Sequence, residues 1–459
     1  MKHKHEFFQS VCRLAIPVAL QSMLQASFSI VDQIMIGQLG SVTVAGVGLA
    51  GKFASIFSVV VSAIGAVAGI MISQYLGQKS EREVHRSFWV NLLIALGLAG
   101  LFSVACGLFP EQVMGLYTVD PPTRQVAAGY LVIITATFLP MAGATLLSTL
   151  LRCMEKAQLP LYASIASAVL NTGLNYVLIF GKLGAPALGV TGAAAATLLS
   201  RIVEFLLVAV YALRDRRVPL RPRTLLRPGA AITRDFVKYA SPVLVNETMW
   251  GLGVSVMTAI MGHMAVSAEI LAAHAIMGNI EKFATVACFG VAGATSVMVG
   301  KRIGEGAPRE EVYSLGCCLL QVSFLVGLTV SLCLAVLLPT VFRPVVFPLF
   351  HLEGLSLEIA ATMCVVLICM LPSKAFDITN ITGLLRAGGD ARMASIIDLT
   401  CQWGIAVPLS FLTALVLDAP VAVVCFAIQS ENFCKMPWGI LRLRSRKWIN
   451  NITKGPCAP

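Results

Sequence analysis

Apolar runs of roughly 20 or more residues recur along this chain, each long enough to cross a ~30 Å hydrocarbon core as a helix, with short polar breaks between them. The runs fall near residues 12–36, 44–75, 88–109, 125–150, 160–181 and 188–213, and again near 239–262, 270–300, 314–338, 357–384, 394–417 and 420–441. The two-residue alternation of an outer-membrane barrel strand is missing, and a backbone in lipid must satisfy its own polar groups, which a helix does within each segment. The pattern predicts an all-α polytopic membrane protein of about twelve transmembrane helices. An even number of crossings puts both termini on one side of the membrane.

The runs also repeat. Pro17 and Gly37, in IPVALQSMLQASFSIVDQIMIG, bracket the same interval as Pro242 and Gly262, in SPVLVNETMWGLGVSVMTAIMG, so the first and seventh spans align without a gap. Farther on, Gly51-Lys52-Phe53 stands opposite Glu281-Lys282-Phe283, Tyr75-Leu76-Gly77-Gln78 opposite Arg302-Ile303-Gly304-Glu305, and Leu150-Leu151-Arg152 opposite Leu384-Leu385-Arg386. Six spans thus repeat as six. An even-span repeat gives both copies the same orientation, related by a pseudo-two-fold axis along the membrane normal, with a cavity between two six-helix lobes available for alternating access. The expected division is an N-terminal lobe over 1–213, a linker over 214–238, a C-terminal lobe over 239–441 and a tail over 442–459.

Charge orients this bundle. The linker holds Arg214, Arg216, Arg217, Arg221, Arg223, Arg227 and Arg234, whereas the alternate loops around Gly40, Pro186 and Asp418 hold almost no basic residue. Basic loops stay on the cytoplasmic side, so linker and both termini are expected there, in a plasma (inner) membrane protein. The formal net charge of +11 is then a topology signal. Nucleic-acid binding has no folded basic domain to support it, and membrane lipid is the expected partner. With 57% hydrophobic and 12% charged residues, the chain has about half the charged fraction of a soluble domain. The thirteen cysteines lie mostly inside apolar runs, as Cys317 and Cys318 do, without metal or disulfide-framework spacing, and read as small core residues. The basic start Met1-Lys2-His3-Lys4-His5 precedes an apolar run too long for a cleaved signal, so it reads as a first span.

At several of these places the chain resembles the multidrug and toxic compound extrusion (MATE) family. VDQIMIGQLG with VAGVGLAGK in the first half, LNTGLNYVLIFG, and LLRAGGDAR in the second half match that family's recurrent patterns in type and order, over nearly the whole length. The resemblance implies cation-coupled efflux of drugs.

Ionisable groups inside spans carry the candidate chemistry, because each costs several kcal/mol in the bilayer unless paired, hydrated or protonated. Asp32 lies about five residues from the outer end of span one, ~7 Å deep, with no basic residue one turn away. Asn171 and Asn175 are four apart on one face of span five, and Thr197 is at similar depth in span six, so all four could share one polar pocket. The resemblance implies cation or proton coupling at Asp32 and Asn171. Asn175 departs from it, since one branch of the family carries a second aspartate there; Thr197 is carried over too. A plain alternative for the asparagines is interhelical hydrogen bonding.

Glu247 in span seven and Asp377 in span ten lie at comparable depth and form a second-lobe candidate, although their spacings from Pro242 and Arg386 differ from the family's. Lys374, three residues from Asp377, could pair with it on one helical face, while Arg201 and Glu204 are placed to neutralise each other. Asp398, near a span end, needs no special role. Met35, Trp250 and Met257 are candidates to line an adaptable apolar cavity.

The expectation is an antiporter, not an enzyme, that exports organic cations or metabolites against inward H⁺ or Na⁺, acts as a monomer and needs neither metal nor other cofactor. A lipid-linked precursor flippase of related fold would need several basic residues on its cavity, and only Lys52, Lys282 and Lys374 are candidates. A membrane-embedded enzyme would need clustered His, Asp or Cys near an interface, and the six His are scattered. A channel would show a carbonyl filter, and no pore-loop signature is present.

Overall fold

The computed structural model describes residues 2–118, 120–215, 230–350 and 352–452. Arg216, Arg217, Arg221, Arg223 and Arg227 of the basic linker, and the tail beyond 452, lie outside the described residues. Among the described residues every regular element is helical. Ten helices among the described residues are long and apolar enough to span a membrane, eleven if one bent pair counts as a single span.

By its contacts the chain divides into two units, Leu20–Ala240 and Met1–Ala19 with Ser241–Pro459. The first nineteen residues, grouped by hydropathy with the N-terminal lobe, pack with the second unit. Helix α1 (Lys2–Gly37) runs through this division, and its carbonyl at Ala15 lies so close to Gly290 that a Cβ there would meet it at 2.6 Å. Gly290 sits on α10 (Ser267–Gly304).

In the first unit α1 is followed by α2 (Ser41–Gly77), α3 (Glu81–Leu108), the short α4 (Pro110–Gly115), α5 (Pro121–Thr135), α6 (Phe138–Cys153), α7 (Gln158–Phe180) and α8 (Gly189–Arg214). The single span expected at 125–150 is broken: α5 and α6 meet at 47°. Pro140 has no N–H to bond the Ala136 carbonyl and its ring crowds that residue, so the helix stops there. Ser103 donates to the nearby Thr135 carbonyl at 2.8 Å and so replaces a lost backbone partner.

Helices α7 and α8 form a close antiparallel pair. Gly181 ends α7 in the left-handed region at φ 66°, and the Leu188 N–H returns to the Leu178 carbonyl at 2.8 Å. A Cβ on Gly192 would meet that same carbonyl at 2.6 Å, so glycine there lets the backbones touch. Gly181→Ala is expected to cost about 1–2 kcal/mol in backbone strain, beyond a contact of 2.8 Å with the Ala187 nitrogen. A lower Tm of the purified protein checks it.

The second unit continues with α9 (Ala230–Gly262), α10, α11 (Arg309–Leu337), α12 (Phe347–Leu349), α13 (Leu355–Ile378), α14 (Ala391–Cys401), α15 (Val407–Phe411) and α16 (Val421–Arg444). π-helical turns interrupt it at Leu338–Val346, Thr379–Leu385, Gln402–Ala406 and Leu412–Val416. The repeat shows in the helix ends: α1 and α9 stop at the aligned Gly37 and Gly262, α2 and α10 at the aligned Gly77 and Gly304. Helix α16 is 24 residues long, enough to cross, but is not among the apolar spans, and carries Glu431, Asn432 and Lys435 in its middle. Beyond it the chain turns back as a strap: Asn450 N–H donates to the Gly388 carbonyl at 2.8 Å, Asn451 to the Ile303 carbonyl at 3.0 Å, and Trp448 is fully buried against Gly388 and Gly316.

Candidate functional site

The close α7–α8 pair brings three of the sequence candidates together in the first unit, and α1 adds the fourth. Asn175, fully buried, donates its amide to an Asp32 carboxylate oxygen and to the Asn171 side-chain oxygen at 3.3 Å. Asn171 in turn donates to Thr197 Oγ1 at 3.4 Å, and Thr197 donates to the Ala193 carbonyl at 3.0 Å. Among the described residues no Lys or Arg makes an ion pair with Asp32; Arg201 acts on it from farther away, being bonded to Glu204 at 2.8 Å. Asn175 Oδ1 is buried with no partner. The pocket thus offers a carboxylate one amide donor and leaves an acceptor open beside it. Protonation, or a monovalent cation, would use both oxygen atoms. Tyr130 on α5 is buried and close enough to interact with both Asp32 and Thr197; sequence reasoning missed it, since phase around a broken span is not readable. The chain of polar groups continues along the seam: Ser167 donates to the Ser200 carbonyl at 2.9 Å, Ser164 to Glu204 at 2.7 Å, and Gln21 to Ser164 at 2.8 Å.

The second-unit candidates part company. Glu247 is bonded to Arg386 at 2.8 Å, and the Arg386 side chain is 5% exposed. Asp377 is buried with neither carboxyl oxygen partnered. Lys374, expected to pair with Asp377, reaches Glu281 on α10 instead and approaches Gln429 at 3.5 Å. The pairing expected from three-residue spacing therefore fails, because a long lysine side chain finds a carboxylate on the next helix. Asp398, expected to be of no account, is buried: Lys435 bonds one of its oxygens at 2.7 Å and Asn246 the other at 2.8 Å. Lys435 also bonds Glu431 at 3.1 Å. A four-residue spacing in α16 gave a signal for that local pair; its meeting with Asp398 is a long-range contact that spacing does not report.

Of the cavity-lining candidates, Met35 is half-buried and Trp250 exposed, while Met257 is buried at 5% exposure and so sits in packed interior. A pocket within the second unit is lined by Met261, His274, Met277, Glu281, Met363 and Gln429 among others. Among the described residues no group of three or more His, Cys, Asp or Glu is arranged to hold a metal ion.

Comparison with known proteins follows the repeat. The MatE family model matches twice, over residues 17–177 and 242–412, once in each half. The uncharacterised transporter YisQ of Bacillus subtilis is 24% identical over 453 residues, covering 96% of this chain and 95% of its own. The probable multidrug resistance protein NorM of Bradyrhizobium diazoefficiens is 28% identical over 421 residues, covering 90% of this chain and 88% of its own. Among solved structures, a mutant of the Vibrio cholerae MATE transporter VcmN superposes with a TM-score of 0.87 at 18% identity, covering 98% of this chain and all of that one, and so shares its fold. Two matches in register with the internal repeat, and full-length similarity to named transporters, lead to one conclusion: the chain belongs to the MatE family and is a membrane transporter for exported compounds.

Proposed function

We propose that this protein is a cation-coupled antiporter, in which inward H⁺ or Na⁺ binding at Asp32 drives export of a small organic compound by alternating access. The observation that carries the reading is the Asp32 pocket: a carboxylate without an ion-pair partner, held by the Asn175 amide, with Asn175 Oδ1 standing open. Such a group is costly inside a bilayer when ionised and bare, so its stable occupied form holds a proton or a cation. Binding cancels its charge and reverses the hydrogen bonding it offers, since a protonated carboxyl donates where a carboxylate only accepts. Protonated Asp32 keeps an oxygen for the Asn175 amide and gains a donor for the open Asn175 Oδ1, which links cation occupancy to the α1–α7 contact. A cation that binds one conformation better than the other shifts the population toward it, and that differential affinity is the source of drive.

The names of the relatives point to organic drugs as cargo, and this chain is proposed to carry compounds of that class, cationic ones first, as a monomer in a plasma membrane with both termini cytoplasmic. The test is transport of a fluorescent organic cation by the purified protein in liposomes, under a proton gradient and a sodium gradient imposed separately. Accumulation that follows one gradient supports the reading and names the ion. Absence of movement under either gradient overturns it and turns the search to lipid-linked cargo.

A further inference from the structure

We propose that the second unit holds a cargo subsite for a zwitterion, an α-amino acid with an apolar side chain or a close relative, in the pocket that ends at the Glu281–Lys374 ion pair. This subsite rests on the export reading above and names one class of cargo for it.

Three helices build the pocket, each with one face. On α10 the lining positions His274, Met277, Gly278 and Glu281 follow the three- and four-residue steps of a single helical stripe, and on α16 Cys425, Ile428 and Gln429 do the same. Met363, Val366 and Leu367 supply the α13 wall, and Met261 closes it from the end of α9. The walls are therefore largely thioether and aliphatic, which suits apolar side chains of different shape. Polar chemistry gathers at one end. Lys374, two turns along α13 from Leu367, is bonded to Glu281, and Gln429 stands beside both, its amide oxygen 3.5 Å from the ammonium. The pair is not sealed, its side chains being 19% and 30% exposed. Glu281 is the one carboxylate among the pocket's described lining residues; Asp377, three residues beyond Lys374, is buried off this wall.

The pair decides which charges a guest can carry. A plain cation on Glu281 has to share it with the Lys374 ammonium, and a plain anion on Lys374 has to share it with the Glu281 carboxylate, so each brings a like charge close without compensation. A zwitterion brings both signs. Its ammonium beside Glu281 and its carboxylate beside Lys374 make a ring of four charges alternating in sign, and the bond between the two protein side chains need not break. The two protein charges are in direct contact, so the guest's charges must also be close, as they are across the single α-carbon of an amino acid. Gln429 carries both a donor and an acceptor for the same head group. The guest's side chain then lies along the methionines toward His274, which is two turns back from Glu281 on α10, about 10 Å along the axis.

The test is equilibrium binding of L-phenylalanine, 2-phenylethylamine and 3-phenylpropanoate, each tritiated, to the purified full chain in lipid nanodiscs at neutral pH: one ring, three charge patterns. L-Phenylalanine is expected to bind tightest, with each analogue weaker by about 10- to 150-fold, the range of one hydrogen bond to a charged group. Glu281→Gln is expected to turn the preference toward 3-phenylpropanoate and Lys374→Gln toward 2-phenylethylamine, opposite shifts that a loss of fold does not produce. If either single variant fails to fold, Glu281→Gln with Lys374→Gln removes equal and opposite charges and is expected to bind the three probes alike. Labelled L-phenylalanine is also expected to accumulate in liposomes under the gradient that drives transport. A folded wild type that ignores L-phenylalanine or prefers either analogue overturns the proposal, as do single variants that leave the order unchanged or a double variant that keeps it; label that binds and never moves overturns the role as cargo. Binding needs no gradient, so its failure leaves gradient-driven export of other compounds standing, and the two readings fall separately.

Discussion

Asp32→Asn is expected to leave the protein folded and to sever transport from its driving gradient, lowering accumulation of an organic cation about 5- to 150-fold, the range spanned by a typical coupling free energy between two sites. Asparagine has nearly the shape of aspartate, so the packing of α1 against α7 survives. The hydrogen bond from Asn175 survives as well, since the new amide oxygen accepts it. What goes is the one group of the pocket that changes charge. Exchange of substrate for substrate, with no net cation movement, is expected to persist, because it needs no proton or sodium to leave. Transport by the variant that still follows the gradient, in protein of unchanged Tm, would remove Asp32 from the coupling step.

Glu247→Ala is expected to act on stability instead. It strips Arg386 of its carboxylate while the guanidinium remains 5% exposed, with Nε already lacking a partner. Breaking one side of a fully buried pair costs about 3–5 kcal/mol; Glu247 is itself 30% exposed and Asp398 still faces Arg386, so the loss expected here is at or below the low end of that range. The double variant Glu247→Ala with Arg386→Met should recover most of that loss, since the guanidinium left without Glu247 is then gone. Thermal unfolding of the two singles and the double gives the interaction directly as a cycle. A Glu247→Ala protein of normal Tm but altered ion dependence would return Glu247 to the coupling machinery.

Sequence and structure agree where the physics is local. The C-terminal ends of α1, α2, α9 and α10 fall within four residues of the expected 36, 75, 262 and 300, at the glycines that align the repeat, because helix ends and repeat landmarks are written in neighbouring positions. The Asp32, Asn171, Asn175 and Thr197 group was legible for a similar reason: a four-residue step fixes one face of α7, and depth from the helix end matched the partners. The bend between α5 and α6 was hidden inside a continuous apolar run, and Tyr130 with it. In the second unit the pairing of Lys374 with Asp377 failed, because the lysine meets Glu281 on α10, 93 positions away, and three-residue spacing reports only partners on its own helix. Asp398 and Lys435 lie 37 positions apart, and no periodicity reports which buried charges will meet over that distance.

The strap around Trp448 bears on how the protein is made. Residues 448–451 leave the ribosome after all of the helices they brace, so α10 and the turn at Gly388 are inserted first and stay uncapped until translation is nearly done. Until then the space beside Gly316 and Gly388 has no indole to fill it, the Gly388 carbonyl lacks the Asn450 N–H, and the Ile303 carbonyl keeps only its local bond from the Gly306 N–H. A nascent chain arrested before Trp448 is therefore open to proteases at this end of the second unit, and its closure is the step by which a quality-control system could tell a finished transporter from an unfinished one.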